Sequence, residues 1–334
     1  MQNNLTKKDI EKLNKWAKKY DIKELKTKDK NKLFNIKELT LDELFRAEKN
    51  FSYIPNEIFK LVNLKELYIK SINLKALPKD IGNLINLEEL TIGVNCKLKK
   101  LPKEIGKLTN LKKFEISCEN LEKLPNEIAN FVNLKSIIIS CDKLVKLPKE
   151  ICNFSKLEDI EIACENLKEL PHEIGNLKKL KYFTLWESNL KKFPKEFGNL
   201  INLEYFKIYS SYSLKEFPKE IANFTKLIHL TIECYKMKEL PREIGNLINL
   251  KSLYIKSANL KELPKEIKNL VNLERIDIIW DGYAKELPNE ILNFEKLKFI
   301  EIKKLGFIYK SVGREYKIEK AKKKIKKNIN KTKQ

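Results

Sequence analysis

The chain has few of the residues on which common enzyme sites depend. Its 334 residues include nine glycines and two histidines. A phosphate-binding loop needs glycines close together, because only glycine lets the backbone approach a phosphate and adopt positive φ freely. No Walker, Rossmann, HExxH or GxSxG motif occurs. We therefore expect no enzyme activity, no cofactor and no metal site.

Arginine is also scarce. The net charge is +22, yet only four basic residues are arginine, namely Arg46, Arg242, Arg275 and Arg314. Base-specific nucleic-acid recognition usually relies on the planar arginine fork. Residues 303–334 alone carry thirteen basic residues against two acids, so half of the excess charge lies in the last part of the chain. Codon bias toward lysine explains such a skew as well as an acidic partner does.

Long apolar runs are absent. No stretch of about 18 apolar residues occurs, so we expect no membrane-spanning helix. The first residues lack the apolar core of a secretory signal, and the six cysteines do not form a compact framework. We predict a cytoplasmic monomer, and leave open export by a system that reads no cleaved signal.

The eleven prolines, in contrast, form a regular series. They are spaced by 23 or 24 residues, at Pro55, Pro78, Pro102, Pro125, Pro148, Pro171, Pro194, Pro218, Pro241, Pro264 and Pro288. Each follows Leu, Ile or Phe, and an acid and then Ile or Phe come two and three residues later. A typical unit places apolar residues at Leu111, Phe114, Ile116, Leu121, Leu124, Ile128 and Phe131. This spacing predicts an internal repeat.

Each repeat is predicted to contain one strand and one short helix. The Leu-x-x-Leu-x-Ile segment alternates as a half-buried strand does. The Pro-x-Glu-Ile segment predicts a helix of one or two turns, with proline at its first position and an acid at its positive end. One unit cannot bury its own apolar side, so the units must stack into a parallel sheet.

The repeated pattern L-x-x-L-x-I…L-x-x-L-P-x-E-I-x-x-L resembles leucine-rich-repeat proteins, specifically the 23-residue class of plant intracellular Ras-group-related repeats and similar bacterial proteins. The resemblance covers roughly residues 36–305. It implies an α/β solenoid, or horseshoe, of about 11–12 repeats, with a parallel concave β-sheet and short helical or 3-10 segments on the convex side. It also implies protein recognition on the concave face.

One feature departs from the family. Its usual ladder asparagine, three residues before the next conserved leucine, occurs only as Asn95. Other repeats have Ser71, Cys118, Cys141, Cys164, Glu187, Ser211, Cys234, Ser257 and Asp281 there. Cys118, Cys141 and Cys164 should form a row, which does not suit the tetrahedral ligand set of zinc. We interpret them as small buried ladder residues, since a disulfide between neighbours would form only under oxidation.

The ends of the array are predicted to be caps. Residues 1–35 form an N-terminal helical cap, with Thr6 as N-cap and Ile10, Leu13, Trp16, Ala17 and Tyr20 at helical spacing. Residues 306–334 form a C-terminal cap and basic tail. The tail is either solvated or an amphipathic helix that contacts an anionic membrane, nucleic acid or acidic protein through Lys322, Lys323, Lys324, Lys326 and Lys327.

The candidate partner-binding residues lie on strand positions that alternate with core leucines. They are Tyr182, Trp186, Tyr205, Tyr209, His229, Glu233 and Tyr254, with Asp159 and Glu161 on an earlier strand. Tyr and Trp are enriched at binding hot spots. The alternative is that the aromatic rings only stabilise the sheet by stacking across strands. Paired carboxylates can also perform acid–base chemistry, but an open sheet offers them no pocket.

We therefore predict a non-catalytic protein–protein interaction scaffold that binds a protein partner on its concave face. The alternative function is an adaptor that docks on an anionic surface through the lysine-rich tail.

Overall fold

The computed structural model describes residues 5–42, 51–93, 96–280 and 294–304. The chain divides into two compact units, Met1–Leu167 and Lys168–Gln334. This boundary lies inside the segment predicted to be a repeat array, and both units contain the same repeating element of strand, turn and 3-10 helix. The fold class predicted from the repeat, a leucine-rich-repeat solenoid of parallel strands, is confirmed.

The described part of each unit contains six strands that pair in chain order, and all of these pairs are parallel. In the first unit they are β1 (Glu38–Asp42), β2 (Glu66–Lys70), β3 (Glu89–Gly93), β4 (Lys113–Ser117), β5 (Ser136–Ser140) and β6 (Asp159–Ala163). In the second they are β7 (Tyr182–Trp186), β8 (Tyr205–Ser211), β9 (His229–Cys234), β10 (Ser252–Ser257), β11 (Arg275–Trp280) and β12 (Phe299–Lys304).

The strands form because their side chains alternate between the core and solvent. In β5, Ile137 and Ile139 are fully buried, whereas the alternating residues Ser136, Ile138 and Ser140 are partly exposed. Every second strand residue therefore points away from the core, and these residues are available for other contacts.

In the described residues, the segment after each repeat proline is a five-residue 3-10 helix. The described examples are Asn56–Lys60, Lys79–Asn83, Lys103–Lys107, Asn126–Asn130, Lys149–Asn153, His172–Asn176, Lys195–Asn199, Lys219–Asn223, Arg242–Asn246 and Lys265–Asn269. The predicted position of proline is wrong by one residue. Pro102 is the N-cap rather than the first helical residue, and its carbonyl accepts the hydrogen bond from the Ile105 amide at 3.1 Å. An N-cap carbonyl makes the first helical bond, so proline's missing N–H costs nothing there.

The N-terminal helix α1 (Lys7–Tyr20) covers apolar groups of the first unit, and a 3-10 helix (Lys23–Leu25) and α2 (Lys30–Phe34) follow it. Thr6 is its N-cap, as predicted, and forms a capping box with Asp9. Trp16 and Tyr20 contact the Phe51 ring at centroid distances of 5.4 and 5.7 Å. Burial raises the pKa of Asp9, but hydrogen bonds from Lys60 and Thr6 outweigh it and lower the pKa to about 2. The predicted C-terminal cap and tail, 306–334, lies outside the described residues.

An asparagine ladder is present, but it lies at a different position from the one that the family resemblance implies. Seven asparagines lie in turns that precede a strand, and each donates its side-chain amide to a backbone carbonyl of the preceding turn or, for Asn63, of α2: Asn63, Asn86, Asn110, Asn133, Asn202, Asn249 and Asn272. Where lysine replaces asparagine, as at Lys226, its ammonium donates to the previous asparagine, here the Oδ1 of Asn202 at 2.7 Å. These side chains tie successive turns together.

Asn202→Ala should lower the free energy of unfolding by about 1 kcal/mol, because it removes a bond to the Lys178 carbonyl at 2.7 Å and the acceptor for Lys226. Lys226→Met removes only the lysine contact, which is exposed, and should cost less than about 0.5 kcal/mol. Urea denaturation of both variants measures the difference. Equal losses would contradict a ladder in which the asparagine amide is the main bond.

The cysteines differ from the sequence-based interpretation in one respect. Cys118 is not a free ladder residue, because it forms a disulfide with Cys96, with the two Cα atoms 4.9 Å apart. The insertion in that repeat places Cys96 in the buried position predicted for Asn95. Asn95 itself lies outside the described residues. Cys141 and Cys164 are free and buried, as predicted. Burial raises the pKa of the Cys141 thiol to about 12.

The prediction that Glu187 occupies the buried ladder position is also wrong. It is exposed and adopts positive φ, at 42°, whereas the next residue, Ser188, is buried. The left-handed residue turns the chain so that the small Ser188 side chain points inward in place of the glutamate.

The core of the second unit contains a cluster of phenylalanines. Phe206 is fully buried, and its ring centroid lies 5.2–5.9 Å from five others, those of Phe183, Phe193, Phe197, Phe217 and Phe224. Most of these contacts are edge-on or tilted, which is the favourable arrangement of aromatic pairs. This cluster lies directly behind β7 and β8.

Candidate functional site

Strand register brings the predicted aromatic residues of the second unit together. Tyr182 on β7 is paired with Tyr205 on β8, and Tyr205 is paired with His229 on β9. Trp186 on β7 is paired with Tyr209 on β8. All five side chains point away from the buried leucines and phenylalanines, and we call this set the aromatic face.

The rings of the aromatic face stack on one another. The centroids of Tyr182 and Tyr205 are 4.8 Å apart, those of Tyr205 and His229 are 4.6 Å apart, and those of Trp186 and Tyr209 are 4.0 Å apart. The interplanar angles are 21°, 15° and 17°. The cross-strand stacking that we considered as a structural role is therefore present.

Stacking also determines what the face can offer to a partner. Tyr205 has a neighbouring ring on each side, so its ring faces are occupied and its edge and hydroxyl remain. Tyr182 stands at one end of the row and is 40% exposed. Such a surface presents ring edges and hydroxyl groups, which are hydrogen-bond donors and acceptors on a rigid apolar base.

Charged groups border the aromatic face. The Lys207 ammonium lies 5.9 Å from the centroid of the Tyr205 ring. On the far side, the Tyr254 hydroxyl donates to Glu233 at 3.1 Å, and Lys256 donates to the other Glu233 oxygen at 3.4 Å. The predicted residues Glu233 and Tyr254 thus form a polar group on β9 and β10 rather than extending the stacked rings.

His229 is held in its neutral form. Burial lowers the pKa of its imidazole, and the nearby ammonium groups of Lys207 and Lys251 lower it further. A neutral ring stacks on Tyr205 without bringing a charge into a partly buried site.

Because the folded-state pKa of His229 is lower than the unfolded value of about 6.5, its contribution to stability is complete above that pH. It is lost as the pH falls through the lower folded pKa. An NMR titration of the His229 signal should show this. His229→Gln should remove the corresponding part of the fall in melting temperature between about pH 7 and pH 5. A His229 signal that titrates above pH 6.5 would contradict this account.

The predicted acidic residues Asp159 and Glu161 lie on β6 in the first unit. The Ser136 hydroxyl donates to Asp159 at 3.3 Å, and Glu161 is paired in register with Ile138.

Sequence reasoning missed one further aromatic pair. Tyr212 and Tyr235 follow β8 and β9, and their rings stack with centroids 5.1 Å apart. Tyr212 is 55% exposed. The pair lies in the turns and outside the alternating strand positions on which the prediction was based, so only the equivalent spacing of the two residues could have indicated it.

Two features are absent from the described residues. Within the ranges that the structure describes, no group of three or more His, Cys, Asp or Glu side chains could hold a metal ion. In the same part of the chain, no helix has the length and apolar character needed to cross a membrane. The lysines of the predicted anionic-surface site, 322–327, lie outside the described residues, so their role stays a prediction.

Comparisons with known proteins identify the family. The family model described as a leucine-rich repeat region matches residues 12–144 and 117–241, and the chain therefore belongs to the leucine-rich-repeat family. A sequence search among curated proteins gives no match. A leucine-rich-repeat protein of Leptospira interrogans is 31% identical, with 82% of this chain and 79% of that chain covered and a TM-score of 0.63.

Two further solved structures share the fold. The leucine-rich-repeat domain of the type III effector XopL is 24% identical, with 63% of this chain and 74% of that chain covered and a TM-score of 0.57. An internalin (inlF) from Listeria monocytogenes is 17% identical, with 86% of this chain and 92% of that chain covered and a TM-score of 0.57.

Proposed function

We propose that this protein is a non-catalytic scaffold that binds a protein partner through the aromatic face. The observation that supports this most directly is a set of five aromatic side chains that point away from the core, with Tyr182 at its edge 40% exposed. Monomeric proteins seldom expose contiguous apolar surface without a binding role. Membership of a family of repeat proteins agrees with this function.

The stacked arrangement suits recognition. Because each ring is already held by its neighbours and by the sheet, these side chains lose little conformational entropy when a partner binds. Tyrosine and tryptophan also bury a large area while their polar atoms still form hydrogen bonds. The face therefore combines the apolar area and the polar edges of a binding hot spot.

The same geometry supports a non-catalytic role. General acid–base chemistry by His229 would need a reacting group within hydrogen-bond reach. Its described surroundings are instead the Tyr205 ring and two ammonium groups.

Affinity capture with matched variants tests the proposal. Wild-type protein and the Tyr212→Ala/Tyr235→Ala variant should retain the same partner, because that stacked pair lies outside the aromatic face. The Trp186→Ala/Tyr209→Ala variant should lose that partner while its circular dichroism spectrum is unchanged. A partner retained equally by all three proteins would contradict the proposal.

A further inference from the structure

A second surface, in the first unit, is lined by lysines. A cavity of about 770 Å³ lies between two successive repeats, and its walls include six lysines: Lys75, Lys79, Lys97, Lys99, Lys100 and Lys103. We call this the lysine cleft. All six side chains are exposed. Ala76, Leu77, Leu101 and Pro102 line the cavity as well, so the wall is both cationic and apolar.

The positive charge of the lysine cleft is poorly compensated. Glu104 is the only acid among its lining residues. Within the described residues, Lys97 donates to the Asn73 side chain, but none of the six ammonium groups forms an ion pair. Several uncompensated ammonium groups around one cavity attract a ligand of opposite charge.

The sequence shows why the charge is concentrated here. Lysine also follows the equivalent apolar residue in six later repeats, and five of these place glutamate beside it, at Glu169, Glu216, Glu239, Glu262 and Glu286. The corresponding residues in the lysine cleft are Ala76 and Lys100. Lys75, Lys99 and Lys100 give these two repeats a net charge of +3 at this pair of positions, whereas no other two successive repeats exceed +2 there.

The disulfide holds one wall of the lysine cleft in place. Cys96 is bonded to Cys118 of the next repeat, and Lys97, Lys99 and Lys100 follow it directly. Lys100 also forms a parallel bridge with Lys123 of that repeat. The backbone that carries these lysines is therefore attached to the next repeat at both ends of the segment, which lowers the entropic cost of binding.

We propose that the lysine cleft binds an acidic peptide segment that carries an apolar side chain. The ammonium groups pair with the carboxylates, and the apolar side chain packs against Ala76, Leu77, Leu101 and Pro102. The lining contains no aromatic ring for stacking on a base and no arginine for bidentate contact with phosphate, and this favours a peptide over nucleic acid. The site is separate from the aromatic face and does not depend on its function.

Fluorescence anisotropy with labelled peptides tests this inference. The probe is a short glutamate-rich peptide around one leucine, and a second peptide has glycine in place of that leucine. The Lys75→Glu/Lys99→Glu/Lys103→Glu variant should bind the leucine probe at least about tenfold more weakly than wild type, because three attractive contacts become repulsive. The matched control, Lys238→Glu/Lys261→Glu/Lys265→Glu, has the same change in net charge at equivalent positions and should change affinity less than about twofold.

The two peptides and one inorganic probe separate the outcomes. We expect the glycine peptide to bind more weakly than the leucine peptide, and binding of both to weaken as salt is raised. Equal losses in the two charge-reversal variants would overturn the inference, because net charge alone would then explain binding. It would also be overturned if tripolyphosphate or single-stranded RNA displaced the leucine peptide while leucine and glycine peptides bound equally, since that result indicates a phosphate site.

Discussion

Phe206→Ala should lower the free energy of unfolding by about 3–5 kcal/mol. The side chain is fully buried, and its ring contacts five other phenylalanine rings in the second unit. Its removal leaves a cavity that rigid aromatic neighbours cannot fill. In a repeat protein each repeat is stabilised by its neighbours, so the loss should extend to the flanking repeats. Urea denaturation followed by circular dichroism measures it.

Phe206→Leu is the matched control for this prediction. Leucine keeps most of the volume and should cost about 1–1.5 kcal/mol. If Phe206→Ala were as mild as the leucine variant, the phenylalanine cluster would not be a principal source of stability behind the aromatic face.

Trp186→Ala combined with Tyr209→Ala should weaken binding of the captured partner by at least about 30-fold. Each hot-spot aromatic residue typically contributes about 2 kcal/mol or more to affinity. The two rings lie 4.0 Å apart and form the tightest of the stacked pairs in the aromatic face. Surface plasmon resonance gives the affinity of each variant.

The same double variant should remain folded. A stacked aromatic pair contributes about 0.5–1.5 kcal/mol to stability beyond its buried area, which is small beside the loss expected from the core. A melting temperature lowered as far as in Phe206→Ala, with binding lost in proportion, would show that the rings serve the sheet and not a partner. Tyr212→Ala/Tyr235→Ala removes another stacked pair and should alter neither affinity nor the folded state strongly.

The fold could be predicted because the repeat depends on residues with strong local rules. Proline sets the start of each 3-10 helix, and leucine and isoleucine at alternating positions define the buried side of each strand. The five residues of the aromatic face could be predicted together for the same reason. Equivalent strand positions in successive repeats become neighbours in a parallel sheet.

Features that depend on turn length could not be predicted in the same way. One added residue moved Cys96 rather than Asn95 beside Cys118, and a left-handed Glu187 placed Ser188 in the core. The family resemblance predicts an asparagine ladder after each strand, whereas the structure has one in the turns before the strands, as at Asn202. A one-residue shift in a turn changes which side chain points inward, and repeat spacing alone does not specify that shift.

The lysine cleft could not be predicted from the sequence for a different reason. Lysine recurs in nearly every repeat, so Lys75 and Lys99 are not unusual by themselves. The informative signal was the net charge of +3 carried by Lys75, Lys99 and Lys100 in two successive repeats, together with the disulfide that fixes the adjacent chain.

Hydroxyl-radical footprinting with the captured partner tests the central claim most directly, because it measures the exposure of individual aromatic side chains. If the aromatic face is the binding site, partner addition should strongly reduce oxidation of Tyr182 and Trp186. Oxidation of Tyr53, which is 56% exposed in the first unit, should be unchanged. Unchanged oxidation of Tyr182 and Trp186 in the saturated complex would show that the partner binds elsewhere and would contradict the proposed function.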